Sequence, residues 1–251
     1  MALQPSTLTF DTEDPLRVAS FWAAALAFEL DPDSDGTGAY VADPSKRTHG
    51  LYFQAVPEPK VVKNRVHLDL RPITSMEEDV ARLRELGATE LRFVDEGSGW
   101  TVMADPEGDE FCVLRGVAEG AKRDRSGVDS VVLDCGDPFR VAAFWIDALA
   151  YRELERSDVG IEIVGPQDGD PMLSFVTVPE PKTVKNRIHL DVRPTGSMAA
   201  EVDRVTRLDA TVRGFIEVDG SFWTQMRDPE GNEFCVLRGP EDGWVPGEVL
   251  A

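Results

Sequence analysis

The chain has 251 residues, 42% hydrophobic and 29% charged, enough for two ordinary domains that each bury a core without covalent staples. Its formal charge of −20 argues against nucleic acid and anionic membranes as partners, since either polyanion would be repelled. Cys112, Cys135 and Cys235 are too few and too odd in number for a disulfide framework, and neither a leader segment nor an apolar run of spanning length is evident, so a cytoplasmic protein is expected.

In chain order, LTF at 8–10 reads as a short strand. Asp14 followed by Pro15 forms an N-cap with proline at the first helical position, ahead of the helix PLRVASFWAAALAF. GAYVAD and HGLYFQAV read as strands, and Pro57 and Pro59 close that half. RVHLDL is a further strand. Ser75 and Glu78 make a capping box before MEEDVARLRELGA, whose Val80, Leu83 and Leu86 line one face. Strands ELRFVD, WTVMA and EFCVLR follow.

The order then repeats. VPEPKVVKNRVHLDLRP at 56–72 returns as VPEPKTVKNRIHLDVRP at 178–194, with 14 of 17 positions identical. DPEGDEFCVLRG at 105–116 returns as DPEGNEFCVLRG at 228–239, with 11 of 12 identical. VVLDC, the helix PFRVAAFWIDALAY behind Asp137 and Pro138, RIHLDV, the helix MAAEVDRVTRLDA, FWTQMR and EFCVLR occupy the matching places. This predicts domains at 1–116 and 128–240, a polar, glycine-containing linker at 117–127 and an irregular tail at 241–251. Each domain is a pair of βαβββ modules, and whether modules pair within a domain or across domains is open.

The segments FWAAALAFEL, KNRVHLDL and DPEGDEFCVL resemble the vicinal oxygen chelate superfamily, specifically its glyoxalase-like domains, over nearly the whole chain and twice. The resemblance implies an α+β fold in which module pairs curve their sheets around a cavity. Function is not implied, because the superfamily includes lyases, dioxygenases, thiol transferases and drug-sequestering proteins. Metal-using members place ligands early on the first strand and late on the fourth strand of each half. At those positions this chain has Thr7 and Ser130, Gln54 and Val176, Cys112 and Cys235; only His67 and His189 match the expected ligand type.

Strand alternation sorts the side chains independently of that resemblance. On RVHLDL, Val66, Leu68 and Leu70 face the helices, and His67, Asp69 and Arg71 face the cavity. On EFCVLR, Phe111 and Val113 face the helices, leaving Glu110 and Cys112 inward. The second copy gives His189, Asp191, Glu233 and Cys235, and the first strands give Thr9, Asp11 and Asp134. Candidate acid–base residues are therefore His67, Asp69, Glu110, His189, Asp191 and Glu233, with each histidine as general base beside an aspartate. The competing reading makes them a buried hydrogen-bonded network.

Thr9, Asp11, Gln54, Trp100, Cys112, Asp134, Trp223 and Cys235 are candidate ligand-lining residues, although the tryptophans and cysteines also suit a core. Lys60, Lys63 and Arg65, mirrored by Lys182, Lys185 and Arg187, read as salt-bridge partners or as an anion mouth. DPEG is a tight turn.

One histidine and one cysteine per copy are few donors for a metal, so no cofactor is expected; were zinc or iron held, His67, Cys112, His189 and Cys235 would hold it. The leading expectation is a protein that sequesters or carries a small organic molecule in a polar cavity without a metal. The alternatives are a metal-independent lyase, isomerase or hydrolase using His67 or His189, and a metal-dependent glyoxalase- or dioxygenase-like enzyme. The two fused domains make a monomer plausible, with a dimer also compatible.

Overall fold

Each copy begins with a long strand that feeds a helix through an Asp–Pro start. The computed structural model describes residues 3–44, 49–97, 99–116, 127–218 and 220–245. Strand β1 (Leu3–Thr12) leads to α1 (Pro15–Leu26), where the Asp14 carboxylate accepts the backbone N–H of Arg17 at 3.2 Å. The helix ends at Ala27, an alanine in the left-handed region at φ 54°. Strands β2 (Glu29–Leu30), β3 (Gly38–Ala42), β4 (Gly50–Ala55) and β5 (Val66–Arg71) follow. Then come α2 (Met76–Glu85), β6 (Thr89–Val94), β7 (Trp100–Ala104) and β8 (Glu110–Leu114). Ser75 caps α2 by accepting the Glu78 N–H at 3.2 Å, while the Glu78 carboxylate takes the Thr74 hydroxyl.

The second copy runs β9 (Gly127–Cys135), α3 (Pro138–Leu149), β10 (Arg152–Arg156), β11 (Gly160–Val164), β12 (Met172–Thr177) and β13 (Ile188–Pro194). It closes with α4 (Met198–Thr206), β14 (Thr211–Val218), β15 (Ser221–Arg227) and β16 (Glu233–Leu237). The architecture is α+β, as expected. Of the linker expected at 117–127, residues 117–126 lie outside the described residues, and Gly127 already begins β9. Of the tail expected to be irregular, Pro240–Asp242 forms a 3-10 turn, and residues 246–251 lie outside the described residues. Among the described residues, no helix is long and apolar enough to cross a membrane.

The strands form two eight-stranded sheets, ordered β14-β15-β16-β13-β1-β4-β3-β2 and β10-β11-β12-β9-β5-β8-β7-β6. The chain divides into two compact units, one spanning 9–132 and the other joining the segment up to Leu8 with the chain from Leu133 onward. Strands β1 and β9 therefore each begin in one unit and end in the other. The start of β1 belongs with β13, and the start of β9 belongs with β5.

Within the 9–132 unit, Trp22 of α1 meets Phe111 of β8 at 5.2 Å between ring centroids, and Phe10 meets Phe53 at 5.1 Å, all four nearly inaccessible. Arg82 of α2 pairs with Asp79 and donates to the Ala25 carbonyl at 3.1 Å, satisfying an open acceptor at the end of α1. The other unit repeats this with Trp145 on Phe234 at 5.2 Å and Arg204 on the Ala148 carbonyl at 2.7 Å.

Candidate functional site

The two repeated phrases of each copy bind one another. In the first copy the Lys60 ammonium meets Glu110 at 3.0 Å, the Asn64 N–H donates to the same carboxylate at 3.1 Å, and the Asn64 amide donates to Asp109 at 2.7 Å. In the second, Lys182 sits 2.9 Å from Glu233, the Asn186 N–H donates to that carboxylate at 3.1 Å, and the Asn186 amide donates to Asn232 at 3.0 Å. Burial works to raise the Glu233 carboxyl, but Lys182 and the Asn186 N–H outweigh it and hold the group below its ordinary range.

The DPEG segment is a turn closed by the Gly108 N–H on the Asp105 carbonyl at 3.0 Å, with Gly108 at φ 90°. The Asp105 side chain accepts the N–H groups of Glu107 and Asp109 at 2.9 and 3.0 Å and the Trp22 indole N–H at 3.2 Å, so it ties the turn to α1. Much of the repeated sequence is thus a clasp that fixes β5 beside β8. Glu110 and Glu233 are engaged in that clasp by cations and backbone N–H groups.

What the clasp positions is a three-residue polar set. Along β5 burial alternates, with Val66, Leu68 and Leu70 buried and His67, Asp69 and Arg71 only partly so, as the pleat requires. The parallel β5–β8 ladder sets Asp69 opposite Cys112, and β13–β16 sets Asp191 opposite Cys235. One donor atom each from His67, Asp69 and Cys112 lie within 4.8 Å of one another, and the same holds for His189, Asp191 and Cys235. The closest imidazole–carboxylate approaches are 3.5 Å for His67 Nε2 to Asp69 Oδ1 and 3.4 Å for His189 Nε2 to Asp191 Oδ1. The expectation of a metal-free site counted the histidine and the cysteine of each copy; the aspartate lies within 4.8 Å of both.

The copies differ around this set. Side-chain exposure is 14% for His67 and 19% for Asp69, against 10% for His189 and 6% for Asp191. At the end of the first face, Arg71 makes a bidentate pair with Asp129 at 2.8 and 2.6 Å. Its counterpart Arg193 lies 4.3 Å from the Trp244 ring and donates to the Arg238 carbonyl at 2.6 Å. Across the antiparallel ladder, Cys112 faces Val102 while Cys235 faces Gln225. Asp129, Trp244 and Gln225 were not candidates from sequence. The QM-for-VM change between FWTQMR and WTVMA carries a visible signal for Gln225, but its meaning depends on the ladder.

Other expected site residues divide between the two sheets. Thr9 and Asp11 on β1 and Gln54 on β4 belong to a different sheet from His67 on β5. Gln54 donates to the Thr37 carbonyl at 3.2 Å, across the β3–β4 hairpin. Likewise Asp134 on β9 and His189 on β13 belong to different sheets. Trp100 and Trp223 are half-buried and pair in register with Leu114 and Leu237, which places them on the polar faces of their copies.

Doubled βαβββ modules in two eight-stranded sheets define the vicinal-oxygen-chelate class of fold. A family model described as a glyoxalase-like domain matches residues 7–114 and again 130–237, so the chain belongs to the glyoxalase-like domain family, in two tandem copies. Its fold is similar to glyoxalase I from Zea mays, with 14% identity, a TM-score of 0.68 and coverage of 96% of this chain and 94% of that one. A point mutant of the same maize enzyme gives a TM-score of 0.71 at 15% identity, covering 94% of each chain. At these identities the likeness concerns the fold alone. We find no match among curated proteins.

Proposed function

We propose that the protein binds a small organic molecule against the polar face that His67, Asp69, Cys112 and Trp100 share in the first copy. One observation carries this reading: His67 and Asp69 stay partly open in the first copy, while His189 and Asp191 are buried in the second. Open polar groups beside a half-buried tryptophan give a ligand both hydrogen-bond partners and an aromatic flank. The three cysteines are buried and form no disulfide, which fits a reducing cytoplasmic setting. A monomer suffices, because one chain supplies both copies.

Thermal shift against a panel of oxygen-rich metabolites, with and without chelator, tests the reading, since a ligand that prefers the folded state raises the midpoint. A stabilising compound should lose its effect in His67→Ala and keep it in His189→Ala. Loss in neither variant, or equally in both, would count against the proposal.

A second reading is favoured by the approach of His67 Nε2 to Asp69 Oδ1 at 3.5 Å. In it the imidazole acts as a general base oriented by the carboxylate, and the bound molecule is converted. Recovery of the stabilising compound chemically changed, with conversion abolished in His67→Ala, supports this second reading; recovery unchanged supports simple binding.

A further inference from the structure

Among the described residues the two sheets end on four outer strands, β14, β2, β10 and β6. An outer strand presents a row of unpaired backbone N–H and C=O groups, and proteins blunt such edges with shortness, charge or bulges. Strand β2 has two residues, and four of the five residues of β10 are charged. In β6 a register shift between Glu90 and Arg92 leaves a regular run of three residues, Arg92–Val94. Strand β14 is less protected. It is eight residues long, and its own register shift, between Val212 and Gly214, leaves Gly214–Val218 regular. Val212, Phe215 and Val218 are each more than half exposed, and the Phe215 ring leans on Phe222 of β15 at 5.8 Å between centroids. Exposed apolar groups along a long edge mark a place where another strand adds.

We propose that β14 pairs antiparallel with β14 of a second molecule of this chain, about a two-fold axis through Phe215, so that one sheet continues across both molecules. The charges select this occupant. A formal charge of −20 opposes self-association over most of the surface, yet β14 itself carries one cation and one anion, Arg213 and Glu217. They lie two residues to either side of Phe215. In an antiparallel pair centred there, Arg213 of each molecule comes opposite Glu217 of the other, and the two Phe215 residues meet on the axis. Such a self-complementary pattern fits an isologous contact. Strand β6 has Glu90 and Arg92 about Leu91, but its register shift falls on Leu91, and Arg84 already answers Glu90 at 3.5 Å. One strand-to-strand contact buries less than the roughly 1,200–2,000 Å² of a standard interface, so the dimer dissociates on dilution. This inference does not rest on the proposed ligand, because association is read without one.

Sedimentation velocity of the full-length protein at physiological ionic strength, over a wide range of concentration, tests it. Wild type should pass from monomer to dimer as concentration rises. A monomer throughout overturns the proposal, and needs no variant to fold. Phe215→Lys should stay monomeric with an unchanged circular dichroism spectrum, and Phe93→Lys on β6 should dimerise as wild type does. A dimer that persists in Phe215→Lys, or that is lost in Phe93→Lys instead, overturns the choice of edge. Arg213→Glu and Glu217→Arg should each weaken the dimer by about tenfold or more, and the double variant should recover it. A double variant no tighter than either single one overturns the register.

Discussion

Asp69 lies directly opposite Cys112 across the parallel β5–β8 ladder, and this register makes three donors out of two strands that each look like ordinary sheet. Its geometry depends on the clasp that holds KNR against DPEG, so the clasp is where stability and site meet.

Removing the clasp carboxylates should cost unequally. Glu233 answers both Lys182 and, at 3.5 Å, Arg227, whereas Glu110 answers Lys60 alone among the ion pairs described. Glu233→Gln should therefore cost about 2–3 kcal/mol and Glu110→Gln about 1–2 kcal/mol, read from urea midpoints.

The same group gives a pH dependence. The Glu233 carboxyl sits below its ordinary value of 4.5 in the folded chain, so its contribution is complete above that value and is lost as pH falls through the lower folded value. Urea midpoints for the wild type should drop across that acid window. Glu233→Gln should show a smaller drop.

Ala27 and Ala150 end α1 and α3 in the left-handed region at φ 54° and 56°, a conformation in which alanine is strained and glycine is not. Ala27→Gly and Ala150→Gly should each stabilise the protein by about 0.5–1 kcal/mol, net of the entropy glycine adds to the unfolded chain. Thermal midpoints of the two variants and their combination check this.

Trp244 covers Arg193, two residues beyond Asp191 on the same face of β13. Trp244→Ala should speed thiol labelling of Cys235 severalfold under native conditions and leave Cys112 unchanged, measured by mass spectrometry of labelled peptides. Equal acceleration at both cysteines would show general loosening instead.

The period-two burial of Val66–Arg71 and the DPEG turn could be read from sequence because each is a local constraint: a pleat in one case, a proline and a positive-φ glycine in the other. The length of β1 could not, since Leu3–Thr12 is buried on both faces toward its end and loses the alternation that marks a strand. The Asp69–Cys112 relationship requires the register of a parallel ladder between segments about forty residues apart, which neither strand encodes alone. Asp129 was hidden because it precedes the apolar run that signals β9, yet it pairs with Arg71 at distant sequence position. Thr9, Asp11 and Gln54 face inward by alternation as His67 does, but alternation does not say to which sheet a strand belongs.

Under the proposed function the first copy binds the ligand and the second supports the fold. Isothermal titration of the most stabilising panel compound into wild type, Asp69→Asn and Asp191→Asn tests it most directly. Asp69→Asn should lose at least about tenfold in affinity, roughly 1.4 kcal/mol, and Asp191→Asn should keep the wild-type affinity. Unchanged affinity in Asp69→Asn, or a loss confined to Asp191→Asn, would contradict it.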